Sequence, residues 1–353
     1  MKSKVYFIRL GNSEKPHLIT GKLKRLLEES CVLDFIRPNS KVAVKMHFGE
    51  EGNTGFVLPK YARVVCDGIA GRHSTGILAD TNTLYRGRRT NSRDHLALAH
   101  EHGFTKALTG ADIVIPDDTQ KENIVEIPIN LTSVKIAKIA RFFIDVDALI
   151  AVSHFKGHML TGFGGALKNI GMGCATREGK LMQHCDVSPV VYADRCIGCG
   201  ACVEICPVGA IRIKNKKSVI NSAKCIGCAN CIGACPTMAM FIDVEAGGAV
   251  QQKMVEYAAA VLKGKKAGFL NFAIKINKEC DCWGMENPRI APDVGILASV
   301  DLVSIDKASL DLVTQTAGKN VFKEQHPNQD AAIQLKYAQG LGLGNLNYEL
   351  IEL

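Results

Sequence analysis

The chain has 353 residues, of which 47% are hydrophobic and 22% are charged, a composition typical of a soluble globular protein with two or three domains. Its net charge of +8 suits either an ordinary solvated surface or an anionic ligand, but no basic arm is present, so we expect no nucleic-acid partner. No stretch approaches the roughly eighteen apolar residues of a membrane span, and the first residues lack the apolar run of a signal peptide. We therefore expect no membrane association and a cytoplasmic location.

The first part of the chain alternates between short apolar strands and amphipathic helices. The predicted strands are 4–9, 41–48, 76–80, 112–116, 123–128, 134–139 and 147–154. The predicted helices are 18–28, 59–70 and 92–103, where Pro59 opens the second helix and Gly103 stops the third. This alternation predicts an α/β domain with a mixed, mostly parallel sheet.

The same alternation resumes after a cysteine-rich interruption. The later predicted helices are 250–263, 303–313 and 328–340, and the later strands are 267–276, 294–300 and a closing edge strand at 348–353. We predict an α/β domain whose first part is 1–185, an inserted α+β two-cluster ferredoxin-like module at 186–245, and completion of the α/β domain by 246–353. The alternative is three consecutive domains, but the last segment looks too short for a core of its own.

Two copies of one cysteine run are the strongest signal in the chain. The pattern C-x2-C-x2-C-x3-C-P occurs at Cys196, Cys199, Cys202 and Cys206, and again at Cys225, Cys228, Cys231 and Cys235. This is the ligand pattern of a bacterial two-cluster ferredoxin, in which the last cysteine of each run binds the other cluster. The spacing assigns Cys196, Cys199, Cys202 and Cys235 to one [4Fe-4S] cluster, and Cys225, Cys228, Cys231 and Cys206 to a second.

The competing interpretation of these runs is a pair of zinc knuckles or a disulfide framework. Zinc sites use separated C-x2-C pairs, not three cysteines in series followed by C-P. Disulfide frameworks belong to secreted chains, and no secretion signal is visible. Iron-sulfur ligation in a reducing compartment is therefore favoured.

A further four of the fourteen cysteines suggest another centre. They are Cys174, in a glycine-rich loop, Cys185, directly before the module, and the C-x-C pair Cys280 and Cys282. In extended backbone, residues two apart point the same way, so both thiols of the pair face one side. Our hypothesis is a third iron-sulfur or metal centre on these four thiols, with His184 as a further candidate ligand; the alternative is four unrelated thiols.

Polar residues collect where strands of the α/β part are predicted to end. They are His47, Asp80, Arg86, Arg89, His154, Lys156, His158, Lys168 and Asn169. Ligands of open α/β sheets bind beyond the carboxyl ends of the strands. We take His47, His154, Lys156, His158 and Lys168 as candidate catalytic residues, with histidines as acid–base groups or metal ligands and lysines as anion-binding groups or nucleophiles.

The glycine-dense loop GFGGALKN follows these residues and opens a helix. A helix N terminus of this kind can bind an anion through backbone N–H groups. The glycine spacing does not match a nucleotide P-loop, and no nicotinamide or flavin motif is present. For each histidine taken alone, a structural or surface role is the alternative.

Several segments together resemble a known family. They are MHFGEEGN, ADTNTLYRGRR, DHLALAHEHGF, SHFKGHMLTGFGGALKNIGMGC, the two cysteine runs, NKECDCWG and PDVGILASVDLVSIDKASLD. The chain is similar to an uncharacterised iron-sulfur family in which an α/β domain of unnamed function carries a ferredoxin insert. The resemblance covers nearly the whole chain. It implies one interrupted α/β domain and a shared motif around Cys280 and Cys282.

A fainter resemblance is to α/β enzymes that hold a nickel-pincer cofactor through histidines and a lysine. The corresponding residues here are His154, His158 and Lys168, but their spacing departs from that pattern, so no role is carried over from it.

These observations predict an iron-sulfur electron-transfer protein. Two [4Fe-4S] clusters would pass single electrons between an external redox partner protein or carrier and a metal or small-molecule site in the α/β domain, as an oxidoreductase or a subunit of one. The alternative is a non-catalytic ferredoxin-type carrier whose α/β domain only docks a partner.

Overall fold

The computed structural model describes residues 2–117, 120–184, 188–242 and 250–353. Within them the strands are β1 (Ser3–Arg9), β2 (Lys41–Lys45), β3 (Thr75–Ala79), β4 (Asp112–Val114), β5 (Ile124–Pro128), β6 (Ile136–Ala140), β7 (Ala148–His154), β8 (Lys156–His158), β9 (Gly162–Gly164), β10 (Val190–Val191), β11 (Ile211–Lys214), β12 (Lys217–Ile220), β13 (Met240–Phe241), β14 (Lys266–Ala273), β15 (Gly295–Ser299) and β16 (Tyr348–Glu352). The α-helices are α1 (Pro16–Glu29), α2 (Pro59–Ala70), α3 (Ser92–Glu101), α4 (Lys106–Thr109), α5 (Arg141–Asp145), α6 (Ala166–Gly171), α7 (Arg177–His184), α8 (Ala201–Glu204), α9 (Asn230–Ala234), α10 (Val250–Leu262), α11 (Leu302–Ala317), α12 (Val321–Gln325) and α13 (Ala332–Gly340).

Eight of the strands form one large sheet. Their order across it is β16-β1-β15-β14-β7-β2-β3-β4. The five strands from β14 to β4 run parallel to their neighbours, β1 and β16 are parallel, and β15 is antiparallel to both strands beside it. The prediction of an α/β fold with a mixed, mostly parallel sheet is confirmed. The parallel arrangement brings the carboxyl ends of β14, β7, β2 and β3 to one edge.

Helices cover both faces of this sheet. In β2, Val42 and Val44 join one apolar core with Leu23 of α1, whereas Ala43 joins the other core with Ile305 of α11. The split arises because successive side chains of a strand point to opposite faces. Both cores are closed to solvent. The ends of the strands are therefore the place in the sheet where a ligand could bind.

Along the chain, the cysteine module separates two strands that are neighbours in the sheet. β7 and β14 are paired in parallel, with Ala148 opposite Lys266, although residues 188–242 separate them along the chain. The module has its own antiparallel pairs, β10–β13 and β11–β12, and its own core. The large sheet therefore takes strands from both sides of the module along the chain. The predicted boundaries at 185/186 and 245/246 lie at residues outside the described ones, so they stay predictions.

Some predicted elements occupy other places than expected. The segments predicted as strands at 123–128 and 134–139 form a separate antiparallel pair, β5–β6, and do not enter the large sheet. The glycine-rich segment expected as a loop contains the hairpin β8–β9, where Lys156 lies opposite Gly164. Helix α7 was not predicted. None of the helices in the described part of the chain is long and apolar enough to cross a bilayer.

Candidate functional site

The eight cysteines of the module are gathered in two sets. One cavity is lined by Cys196, Cys199, Cys202 and Cys235. A second cavity is lined by Cys206, Cys225, Cys228 and Cys231. Each set combines three cysteines of one run with the last cysteine of the other run, which is the grouping that the crossed ligand pattern of two-cluster ferredoxins requires. Four thiols around a cavity of this kind fit a [4Fe-4S] cluster.

The backbone of the module is shaped to surround these cavities. Gly198 and Gly227 have φ angles of 68° and 70°, and a Cβ on Gly198 would lie 2.5 Å from the carbonyl oxygen of Lys216. Glycine is required where such a φ and such a close approach coincide. The loops can therefore wind tightly around the thiols.

Polar hydrogens point at several of the cysteine sulfurs. The backbone N–H groups of Ala210 and Ala239 donate to Cys206 and Cys235 at 3.2 and 3.1 Å. The Ser218 N–H donates to Cys196 Sγ at 3.4 Å, and its hydroxyl lies 3.2 Å from Cys202 Sγ. Such hydrogen bonds stabilise negative charge on sulfur and tune the potential of a bound cluster.

These contacts shift the thiol pKa values in different directions. Burial raises the pKa of Cys231 to about 12. Burial acts the same way on Cys196, but hydrogen bonds from Ser218 and Gly198 outweigh it and lower the pKa of that thiol. Of these two thiols, Cys196 is therefore the more easily ionised before any cluster binds.

The module is docked on the α/β part through a loop and a helix. Leu84 and Leu181 pack into the module core, and Arg177 Nη2 donates to the Ala229 carbonyl at 2.9 Å. Arg86 Nη1 donates to the carbonyl of Pro236, beside Cys235, at 2.6 Å. The loop 81–90 therefore touches the wall of the first cavity.

A buried charge network lies at the carboxyl ends of β2 and β3. Asp80 accepts Lys45 Nζ on Oδ1 at 2.9 Å and Arg89 Nη2 on Oδ2 at 2.8 Å, and the three side chains are at most 3% exposed. Burial alone raises the pKa of Asp80, but the two cations outweigh it and hold that pKa well below its usual range. One carboxylate faces two cations, so the trio carries a net positive charge.

Arg89 connects this network to a cysteine. Its Nε donates to His95 Nε2 at 3.0 Å, and its Nη1 lies 2.7 Å from His47 Nε2 and 3.9 Å from Cys282 Sγ. His47 Nε2 is itself 3.3 Å from Cys282 Sγ. The Gly49 N–H donates to His47 Nδ1 at 2.9 Å, and this bond fixes the orientation of the ring. The imidazole of His47 and the guanidinium of Arg89 thus converge on one sulfur.

The C-x-C pair lies in a turn, which corrects the expectation of extended backbone. The Trp283 N–H donates to the Cys280 carbonyl at 3.1 Å and closes a four-residue turn. A hydrogen bond from the Cys280 thiol, with His47 and Arg89, lowers the pKa of Cys282 well below its usual range. The same bond, with burial, raises the pKa of Cys280. The two thiols are therefore differentiated, with Cys282 as the anionic one.

The residue between the two cysteines anchors the turn. Asp281 is fully buried and its Oδ1 lies 2.8 Å from His154 Nδ1, while Lys156 Nζ is 3.4 Å from Oδ2. His154 Nε2 lies 2.9 Å from the Ile274 carbonyl oxygen. Both ring nitrogens of His154 are thus used inside the protein, so its contacts are those of a positioning residue and leave no nitrogen for a metal or a substrate.

The other predicted site residues surround the same turn. His158 accepts the Leu160 N–H on Nδ1 at 3.2 Å. Burial lowers the pKa of His158 well below its usual range and that of His184 to about 4, and in both cases Lys168 adds to the effect. Lys168 also acts on Cys280, so the structure brings these groups into one electrostatic neighbourhood. Both histidines are neutral near pH 7.

The geometry supports only part of the hypothesis that four thiols bind a third iron-sulfur or metal centre. Cys280 and Cys282 are adjacent, but Cys174 is fully buried in the apolar core, and burial raises its pKa to about 12. Cys185 lies outside the described residues. Among residues 2–117, 120–184, 188–242 and 250–353, no three His, Cys, Asp or Glu side chains are placed to hold one metal ion. A third centre stays a prediction that rests on Cys185.

The N terminus of α6, which the sequence suggested as an anion-binding site, is occupied by a carboxylate of the same chain. The Asp306 carboxylate accepts the N–H groups of Ala166 and Leu167 at 2.7 and 2.9 Å, and the Asn271 amide at 2.7 Å. A Cβ on Gly165 would lie 2.4 Å from Asp306 Oδ1, so glycine is needed there for close approach. This carboxylate sets the position of α6, which carries Lys168.

We expect Asp306→Asn to lower the free energy of unfolding by about 1–3 kcal/mol, because it leaves a buried backbone donor without its acceptor. Burial raises the pKa of Asp306 to about 6. The folded state therefore holds this proton at a higher pH than the unfolded state does, so the wild type should lose stability as pH rises from about 4 to 6. Urea unfolding at several pH values should show that slope in the wild type and a smaller one in the variant.

Some important residues were not singled out from the sequence. Lys45 and His95 join the Asp80 network, and Asp281 anchors the thiol turn. For Lys45 the signal in the sequence was its position at the end of strand KVAVK, directly after three apolar residues. A lysine in a buried strand needs a partner of opposite charge. For Asp281 the signal was its place between two cysteines.

Fold and site together define an α/β protein interrupted by a ferredoxin-type cysteine module. The chain belongs to the family described as a domain of unknown function, DUF362, whose pattern matches residues 42–311. That range extends over both sides of the module and includes the thiol turn.

A curated relative is similar to a short part of the chain. Ferredoxin-2 of Desulfomicrobium norvegicum is 50% identical over 32 residues, which are 9% of this chain and 54% of that ferredoxin. The chain thus spans about half the length of this relative. The likeness is compatible with iron-sulfur clusters without giving their number or type.

Two solved structures are distant neighbours. The lactate racemase apoprotein from Thermoanaerobacterium thermosaccharolyticum is 16% identical, with a TM-score of 0.42, over 76% of this chain and 50% of the racemase. A structural-genomics protein from Thermotoga maritima is 13% identical, with a TM-score of 0.44, over 86% of this chain and 60% of that protein. The name of the racemase describes that protein only.

Proposed function

We propose that this protein is an iron-sulfur electron-transfer protein. Its module would hold two [4Fe-4S] clusters, which supply reversible one-electron chemistry when bound. The observation that carries the proposal is the grouping of the eight cysteines into two sets of four, each around its own cavity. The ferredoxin likeness supports the same class.

The docking of the module supports an electron path into the α/β part. Arg86 touches the carbonyl of Pro236 at the first cavity, and Arg89 touches Cys282. Arg86 and Arg89 belong to the same loop, so one loop contacts both the module and Cys282. The α/β end of the path would then be the site formed by His47, Arg89 and Cys282, as part of an oxidoreductase.

The outer surface of the module suits an external redox partner. Ile197, Ile226 and Met238 are 64%, 45% and 56% exposed beside the two cavities. Lys214 and Lys216 are exposed on the same module. An apolar patch next to basic residues favours an acidic electron carrier, since opposite charges steer the encounter.

The test is anaerobic preparation followed by iron and sulfide analysis and by EPR during stepwise reduction. We expect about eight iron atoms per chain and two one-electron reductions. Stoichiometric zinc instead of iron, or iron without a reducible EPR signal, would overturn the proposal. Reversible reduction that never reaches the α/β site would favour the non-catalytic carrier.

A further inference from the structure

The Cys280–Cys282 turn has the geometry of a pair that can be cross-linked. Residues two apart lie within about 7 Å even in extended backbone. The hydrogen bond from the Trp283 N–H to the Cys280 carbonyl folds this segment into a turn and shortens that distance. A disulfide needs Cα atoms within about 4.4–6.8 Å, so the turn is compatible with one.

The charges around the pair favour an anionic sulfur. The buried cations Lys45 and Arg89 share the Asp80 carboxylate, and the buried Glu50 also acts on Arg89 electrostatically. An uncompensated buried charge is costly, and the Arg89 guanidinium extends from this network to Cys282 Sγ. A thiolate at Cys282 adds negative charge beside Arg89, and His47 Nε2 lies 3.3 Å from the same sulfur. Arginine and histidine beside a cysteine are typical of reactive thiols.

The two sulfurs differ in access. Cys280 is 6% exposed, whereas Cys282 is only partly buried. Trp283 and Met285, which follow directly, are 41% and 57% exposed and provide an apolar surface beside the outer thiol. An outer attacking thiol and an inner second thiol are the arrangement of a redox-active dithiol.

We propose that Cys280 and Cys282 are a redox-active dithiol that cycles with an intramolecular disulfide and exchanges with disulfide-bearing partners. This inference rests on the proposed electron-transfer function and names the acceptor on the α/β side. Asp281, held by His154 and Lys156, positions the turn.

The step balances with two electrons and one proton. The Cys282 thiolate attacks a partner disulfide, forms a mixed disulfide and releases one partner thiolate. Cys280 then gives up its proton and attacks the Cys282 sulfur, which forms the Cys280–Cys282 bond and releases the second partner thiolate. Two electrons from an external one-electron carrier, which clusters bound in the module would relay, and one proton from solvent return the internal disulfide to the Cys282 thiolate and the Cys280 thiol. Reversal of the sequence oxidises the partner.

The first test does not depend on electron transfer. The cluster-loaded protein is equilibrated anaerobically in dithiothreitol redox buffers, free thiols are trapped with N-ethylmaleimide, and the peptide containing both cysteines is weighed. We expect an oxidised form that lacks two hydrogens and takes up no reagent, and its loss in Cys280→Ser and Cys282→Ser. The Cys280→Ser variant should keep a thiol that reacts at least about tenfold faster than exposed Cys31, because a thiolate is the nucleophile. Cys31→Ser is the matched control and should leave the pair unchanged.

The second test asks whether the clusters reduce the pair. With an excess of a one-electron donor, the internal disulfide should open in the wild type and persist in Cys199→Ala/Cys206→Ala, which lacks a ligand in each cysteine set. The inference would be overturned if the disulfide failed to form at any redox potential of the buffer, or if the pair held stoichiometric zinc. Reduction of the internal disulfide at the same rate without clusters would overturn it as well. Iron content and circular dichroism of every variant show whether it is folded. Absence of iron would overturn the proposed function instead, so the two failures are distinguishable.

Discussion

Replacing Cys199 and Cys235 together by alanine should leave about four iron atoms per chain, whereas replacing Cys199 and Cys206 together should leave almost none. The two double variants remove the same number of thiols from the same module. They differ only in whether the lost ligands belong to one cavity or to both.

The reason is the crossed grouping of the thiols. Cys199 and Cys235 line the first cavity, so their joint loss disables one cluster and spares the other. Cys206 lines the second cavity, although it belongs to the same run as Cys199. A [4Fe-4S] cluster depends on its four thiolates, so one missing ligand in each set removes both clusters.

The measurement is iron analysis with EPR of the reduced protein after identical anaerobic reconstitution. Each single variant should retain about four iron atoms, which gives the reference for one lost cluster. The opposite order, with more iron in Cys199→Ala/Cys206→Ala, would show that each run binds its own cluster and would refute the crossed assignment.

Asp80→Asn should lower the free energy of unfolding by about 3–5 kcal/mol, because breaking a buried ion pair leaves an uncompensated charge. In this protein the loss is shared by two cations, since Lys45 and Arg89 both depend on the same carboxylate. The lowered pKa of Asp80 means that its stabilising effect is present at neutral pH and is lost only as pH falls toward that pKa. The difference between wild type and variant should therefore be constant from about pH 6 to 8.

Urea unfolding followed by circular dichroism, at equal cluster content, measures this effect. Asp67→Asn is the matched control, because Asp67 makes an exposed pair with Arg63 and its side chain is 57% exposed. We expect the control to change stability by less than about 1 kcal/mol. The double variant Lys45→Met/Asp80→Asn should recover part of the loss by removing one stranded cation. Equal stability of Asp80→Asn and wild type would contradict the network.

Local signals were enough to predict many elements of the fold. The predicted helix 59–70 coincides with α2 because Pro59 opens it and its apolar face has helical spacing. The segments 123–128 and 134–139 were predicted as strands, but their pairing with each other outside the large sheet was not, since strand partners depend on tertiary packing.

The candidate site was only partly predictable. His47, Asp80 and His154 were found from their places at predicted strand ends, and Lys156 from the polar run that follows His154. Their roles were not, because those depend on contacts across the chain: His47 meets Cys282 across 235 positions and His154 meets Asp281 across 127. No local pattern encodes such a contact. The extended geometry assumed for the C-x-C pair was wrong because the turn at Cys280–Trp283 depends on packing around Asp281.

The sequence by itself determined the cysteine module, since ligand number and spacing within a tight loop are local properties of the chain. It also determined the alternation of strands and helices, which follows from the period of the apolar residues. Only the tertiary structure decided where the module docks, that Asp80 gathers Lys45 and Arg89, and that Arg89 extends from this network to Cys282. These features depend on burial, which brings distant charges together and makes their balance matter.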